Sequence, residues 1–206
     1  MQIISTLTSP SMWCLQQDEV LDLPLPGDHN RRNATLVFKA LERLDIGSDI
    51  DNQAAIASFP GTDRRFEKLG ENLYSDYGHH PVEIAATLQL AREISDHVVL
   101  VYQPHQNTRQ HEIRDQYTDC FTLADMVYWL PTYLSREDPN LETLSPEQLT
   151  ERLSNREAVT IADMNDDLWQ KLQAHRNENH LVLCMGRRIH RCMGTAASCC
   201  IALISR

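Results

Sequence analysis

Ser75-Asp76-Tyr77-Gly78-His79-His80-Pro81-Val82-Glu83 places a carboxylate, a phenol and two imidazoles in one glycine-hinged turn. Leu73-Tyr74 ahead of it is a short apolar run able to end a strand, and Ile84, Leu88 and Ala91 behind it recur at helical spacing. Pro81 suits the first position of a helix, where a missing N–H costs nothing. The stretch reads as strand, polar turn, helix.

The same alternation continues toward the C-terminus. Residues 71–75 lead to a helix at 82–94, and His97-Val98-Val99-Leu100-Val101-Tyr102 has the unbroken apolar character of a buried parallel strand. A polar helix is predicted over 108–120, a strand over Met126–Leu130 and a long loop through Pro139. A helix after Ser145-Pro146, a strand at 158–161, a helix at 164–177 and the strand Leu181–Cys184 complete a doubly wound α/β pattern. Ligands of such sheets bind beyond the carboxyl ends of the strands. Two polar motifs occupy that place: the opening turn, and Gln103-Pro104-His105-Gln106-Asn107-Thr108-Arg109 directly after the most apolar strand.

Toward the N-terminus, Phe59-Pro60-Gly61-Thr62 ends regular structure and predicts a domain boundary, dividing the chain into 1–58 and 59–206. Ahead of it, Ala34, Val37, Phe38, Leu41 and Leu44 form a helical stripe with Asp28 as its expected N-cap, and a shorter helix fits Asp49–Ser58. Short strands are expected at 2–7, 11–15 and 19–23.

The chain has 206 residues, 42% hydrophobic and 23% charged, which fits one well-buried domain and part of another. Its formal net charge of −10, with no lysine- or arginine-rich run, argues against nucleic acid as a partner. No secretory core and no run of about 20 apolar residues is present, so a cytoplasmic protein without a membrane partner is expected. The six cysteines form no CxxC pair and read as reduced thiols.

Each motif has a plain reading beside a functional one. His79 and His80 are either surface or helix-capping histidines or parts of a site; with Glu83 they could approach one ion, but HExxH spacing is absent and no metal site is expected. Arg64-Arg65 is either a solvated pair or a guanidinium that meets transferring phosphates. His29, Asn30 and Asn33 share a helix face, and asparagine amides suit an adenine edge as well as a helix cap. Asp163–Asp167 lacks the closing glycine and glutamate of a calcium loop and reads as an acidic helix start.

Together PGDHNRRN (26–33), FPGTDRRFEKLG (59–70), SDYGHHPVEI (75–84) and YQPHQNTR (102–109) resemble, in order and spacing, the Mur ligase family. The resemblance implies a Rossmann-like, mostly parallel C-terminal domain preceded by part of an α/β central ATPase domain. It implies ATP-driven amide formation through an acyl phosphate, with ATP and Mg²⁺ as cofactors and, for an intact enzyme, UDP-N-acetylmuramate and L-alanine as substrates. His29, Asn30 and Asn33 would lie near the adenine, Arg65 at the phosphates and Asp76 at the ribose. Tyr77, His80, His105 and Arg109 would shape the amino-acid site, with Arg65 and His80 as the catalytic pair.

Departures accompany the match. No GxxxxGK[ST] phosphate loop occurs, so a fragment or split subunit inactive alone, paired with a separate chain carrying that loop, is the expectation. Asp28, Ser75 and Gln106 replace the family's usual arginine, aspartate and arginine. After Met185 the family's glycine-rich turn gives way to Gly186-Arg187-Arg188-Ile189-His190-Arg191-Cys192-Met193-Gly194, which one frame over can encode GAGSIDAWV; residues from about 187 read as a frameshifted tail. The family branch that recycles murein tripeptide and a non-catalytic nucleotide-binding module are the alternatives.

Overall fold

A computed structural model describes residues 19–186. The strands expected at 2–7 and 11–15, the tail from about 187, and Cys14, Cys192, Cys199 and Cys200 lie outside the described residues. The chain divides into two compact units, one containing His29–Phe59 and the described residues before Pro26, the other containing Pro26–Asp28 and the described residues from Pro60.

The helices α1 (Asp28–Arg43), from His29 on, and α2 (Asp49–Ala57) belong to the first unit. Ala34, Thr35 and Phe38 give α1 one buried stripe at three- and four-residue spacing. The strand expected at 19–23 does not form. The Leu21 N–H donates instead to the Thr35 hydroxyl (3.0 Å), so the segment is held by a helix side chain rather than a ladder. Asp28 is the first helical residue rather than the cap; its carboxylate still faces the positive end of the helix dipole. Ser48 caps α2 by accepting from the Asp51 N–H (3.2 Å).

The second unit is a six-stranded sheet of order β1-β2-β6-β3-β4-β5, built from β1 (Glu67–Gly70), β2 (Leu73–Asp76), β3 (Val98–Tyr102), β4 (Met126–Trp129), β5 (Val159–Ile161) and β6 (Leu181–Met185). β1 is antiparallel to β2, and every other pairing is parallel. β3 and β6 are buried at every residue, as continuous β-branched and leucine-rich runs are when helices cover both faces. Side chains along β3 alternate between two cores. Leu100 and Tyr102 pack with Ile84, Leu88 and Ala91 of α3 (Pro81–Ile94), and Val99 and Val101 pack with Leu168 and Leu172 of α6 (Asp166–Asn177). The mostly parallel α/β sheet predicted from the sequence is the sheet observed.

Three details differ from the sequence reading. β1 was not foreseen; the Glu71-Asn72 turn, with Asn72 at φ 53°, folds it back on β2 as an edge strand. The polar helix expected to reach 120 ends earlier, as α4 (Asn107–Ile113) followed by a 3₁₀ turn, because Tyr117 and Phe121 turn into the core around Trp129. The helix after Ser145 is only α5 (Pro146–Thr150), held by a capping box. The acidic segment behaves as expected: Asn165 caps α6, with Asp166 and Asp167 in its first turn. Cys120 and Cys184 are free buried thiols, and burial pushes each up to about 12.

Register sets the stage for chemistry. Met185 pairs with Asp76 on one side and Tyr102 on the other, so β2, β6 and β3 end abreast. The two polar motifs leave the sheet on either side of β6.

Candidate functional site at the carboxyl ends of the strands

Asp76 ties the first motif together. Its Oδ1 accepts from the Gly78 N–H (2.6 Å) and its Oδ2 from the Phe66 N–H (2.8 Å). Burial pushes its carboxyl above the usual range, against the opposing pull of those two N–H groups and of Arg65. The Tyr77 N–H donates to the Arg64 carbonyl (2.9 Å), and the Arg64 guanidinium lies 4.1 Å from the Tyr77 ring centre, a cation–π contact. Arg64 is therefore engaged, while the Arg65 side chain stays exposed beside Asp76 and Glu83. Gly78 has little room for a side chain: a Cβ there would fall 2.6 Å from Met185 Cε and 2.9 Å from Asp76 Oδ1, so these side-chain ends would have to shift.

The two histidines part ways. His80 is the N-cap of α3: its Nδ1 accepts from the Val82 N–H (3.4 Å), and Glu83 at the third helical position accepts from its N–H (3.2 Å). This is a capping box with histidine in the place of serine. Burial raises the Glu83 carboxyl, but the N–H groups of His79 and His80 outweigh it and hold the group below its ordinary value. His79 is turned elsewhere. Its Nδ1 sits 3.0 Å from the Tyr77 carbonyl, which requires the proton on Nδ1, so that in the neutral ring Nε2 is the acceptor. Its ring meets Tyr77 edge-on at 5.6 Å and His105 at 6.3 Å.

The second motif supplies the facing wall. His105 is buried and stacks on Tyr133, with centroids 5.5 Å apart and planes 7° from parallel. One helical turn on, Arg109 Nη1 donates toward His105 Nδ1 (3.4 Å). Gln106 sits at the N-cap of α4 at φ 64° and donates its amide to the Ser135 carbonyl (3.2 Å), away from Arg109. Glu137 caps α4 in its stead by accepting from the Thr108 N–H (3.1 Å) and the Ser135 N–H (2.6 Å). Beneath both motifs runs a buried polar chain: Gln110 donates to the His105 carbonyl (3.1 Å), Tyr117 donates to Gln110 (2.7 Å), and the Tyr102 hydroxyl lies 2.9 Å from Tyr117 and 3.5 Å from the His79 carbonyl. Burial raises both phenols, so they stay neutral.

Of the residues singled out in the sequence, Arg65, Asp76, Tyr77, His105 and Arg109 gather at this end of the sheet. His80 is occupied by its helix. His29, Asn30 and Asn33 lie along the first turns of α1 in the other unit, with Asn33 exposed. His79, weighed with His80 as part of a site, was given no role there, and Tyr133 was not foreseen. The His80-x-x-Glu83 spacing is a capping-box signature and could have assigned His80 to the cap and His79 to the site; for Tyr133, brought to His105 by a backbone bridge and a ring stack across a loop, the sequence holds no local signal. The exposed Arg65 cation fits a phosphate. The donor set does not fit Mg²⁺, because Asp76 and Glu83 are both engaged by backbone N–H groups.

Residues 64–188 match the family described as Mur ligase, glutamate ligase domain. The chain belongs to the Mur ligase family. Similar curated proteins are UDP-N-acetylmuramate–L-alanine ligases: that of Jannaschia sp. is 38% identical over 184 residues, covering 84% of this chain and 38% of the relative. That of Agrobacterium fabrum is 37% identical over 173 residues, covering 81% and 36%. Among solved structures, a UDP-N-acetylmuramate-alanine ligase from Thermotoga maritima superposes with a TM-score of 0.58 at 22% identity, covering 89% of this chain and 39% of that one. A folylpolyglutamate synthase from Mycobacterium tuberculosis gives 0.54 at 18%, covering 89% and 42%. These likenesses are of fold. The chain spans about two fifths of the length of the curated Mur ligases it matches. No described helix is long and apolar enough to cross a membrane.

Proposed function

We propose that this chain is the amino-acid-side portion of an ATP-dependent ligase that joins L-alanine to UDP-N-acetylmuramate in peptidoglycan precursor synthesis. The observation that carries the reading is the cluster at the ends of β2, β6 and β3. There Arg109 offers a guanidinium to the amino-acid carboxylate, beside the His79 and His105 imidazoles, which meet edge to face. Curated relatives named as UDP-N-acetylmuramate–L-alanine ligases favour that substrate over murein tripeptide.

In this reading ATP activates the substrate carboxylate as an acyl phosphate, the amine attacks it, and phosphate leaves the tetrahedral intermediate. Arg65 meets the phosphate as charge develops there. Asp76 shapes the nucleotide edge by fixing the Phe66 and Gly78 amides, and His29, Asn30 and Asn33 on α1 serve the adenine. His79, whose Nε2 is the acceptor in the neutral ring, is better placed than His80 to accept a proton from the amine. The phosphate loop and the magnesium ligands come from a segment or partner chain that these 206 residues do not include.

The test is phosphate release by the chain alone and with a polypeptide carrying the missing loop, with UDP-N-acetylmuramate, ATP, Mg²⁺ and L-alanine present. Turnover only in the mixture is expected, and only with L-alanine. Robust ATP turnover by the isolated chain would refute the reading.

A further inference from the structure

The opposite end of the sheet carries a second group of imidazoles. α6 closes in a Schellman turn: the Asn179 N–H donates to the Arg176 carbonyl (3.1 Å), the His180 N–H to the His175 carbonyl (3.0 Å), and Asn179 takes the left-handed conformation at φ 62°. That turn brings together the side chain three positions inside the helix end and the one just beyond it, a pair that is ordinarily apolar. Here the pair is His175 and His180, with their Nδ1 atoms 3.2 Å apart. Glu178 lies between them in sequence, one carboxylate oxygen 3.8 Å from His180 Nδ1. One ligand atom from each of the three falls within 4.8 Å of the others.

The spacing has a chemical meaning. Two nitrogens bound to one tetrahedral zinc at about 2.0 Å stand roughly 3.3 Å apart, so the imidazoles already hold ligand separation. Tyr128 supplies the outer partner: its hydroxyl lies 3.1 Å from His175 Nε2, which fixes the ring and, with the proton on Nε2, leaves Nδ1 a lone pair. The His97 ring flanks His180 at 4.8 Å, and the Leu181 N–H fixes the strand start to the His97 carbonyl (2.9 Å). An imidazole pair that served only as a helix cap would need neither the carboxylate nor the phenol.

We propose that His175, Glu178 and His180 form a binding site for a borderline divalent transition ion such as Zn²⁺, through two imidazole nitrogens and one carboxylate oxygen, with a fourth position open to water. The site lies at the amino ends of β3 and β6. It is separate from the polar motifs at the carboxyl ends.

Metal-free full-length chain is titrated with Zn²⁺ against a chromophoric chelator and with Co²⁺ followed by visible absorption. About one equivalent should bind, and Co²⁺ should show the absorption of a tetrahedral nitrogen–oxygen site without a thiolate charge-transfer band. His175→Ala combined with His180→Ala should abolish binding. Glu178→Gln, at an exposed position that the fold does not depend on, should weaken it by at least about tenfold, the scale that even outer partners of metal sites reach. No binding, binding unchanged in both variants, or Co²⁺ held only through thiolates would each overturn the proposal.

Discussion

Individual residues at the motif end are held by contacts that give them definite mutational signatures. Arg109→Ala should raise the KM for the amino acid by roughly 10- to 100-fold in the reconstituted ligase, the size of a lost charge-assisted bond, while Arg109→Lys restores only part because its fork is gone. Steady-state kinetics at saturating ATP measures it. Gly78→Ala should destabilise by about 1–3 kcal/mol through overpacking against Met185. Met185→Ala in the same chain should recover part of that loss in urea unfolding, and no recovery would mean that the Asp76 contact alone decides. Tyr117→Phe removes one hydroxyl from a buried chain, leaving the Gln110 Oε1 without this donor and Tyr102 with only its long contact to the His79 carbonyl, at a cost of about 1–3 kcal/mol. The residue scale is also where the sequence was least legible. Asp76, His105 and Arg109 stand in motifs and were readable, whereas the division of labour between His79 and His80 depends on which ring caps a helix. Tyr133 reaches His105 across a loop, a contact no local pattern announces.

Elements were legible where hydrophobic period decided them. α3, β3, β4 and β6 follow from runs that only one periodicity satisfies, and their bounds came out within a residue or two. α4 was misjudged because its apolar continuation, Tyr117 and Phe121, serves the core from a turn. β1 was missed because four residues on a sheet edge carry little pattern. Carboxylates at element ends set the acid response. Burial alone would raise Asp125, yet Arg92 (2.7 Å) and the Val98 N–H (2.7 Å) hold it below the usual range while joining α3 to the start of β3. Its folded pKa is depressed, so its contribution is present above the unfolded value near 4 and is lost as pH falls through the folded one; half exposure keeps that contribution small. Asp76 has the opposite sign. Its raised pKa makes the fold bind a proton more readily, so its effect favours stability at acid pH and fades as pH rises through the folded value. Unfolding followed from pH 3 to 7 should therefore show Asp125→Asn and Asp76→Asn bending the profile in opposite directions, and parallel profiles would contradict the assignment.

At the scale of the molecule, each unit has its own degree of burial. The second unit encloses two cores on either side of a sheet whose middle strands are wholly buried. In the first, α2 buries only Asn52 and leaves Ile50 80% exposed. Amide exchange should accordingly be slowest in β3 and β6 and fastest in α2, as local opening follows the density of buried contacts. Comparable protection in α2 would show that another surface covers it. The doubly wound sheet was readable at this scale because alternation of strand and helix leaves few other architectures. The strand order was not, since nothing in a sequence says that the last strand enters the middle.

That order governs how the domain can be made. β6 lies between β2 and β3, yet it is the last of the six to leave the ribosome. Until Leu181–Met185 emerges, the nascent chain holds two half-sheets, β1–β2 and β3–β4–β5, each with an unpaired inner edge, and the β3 edge is a run of valine and leucine. Such edges invite association with other chains, and the closing pairings span about a hundred residues, a separation that slows folding. Synthesis of this domain is thus a race between the arrival of five residues and the aggregation they prevent.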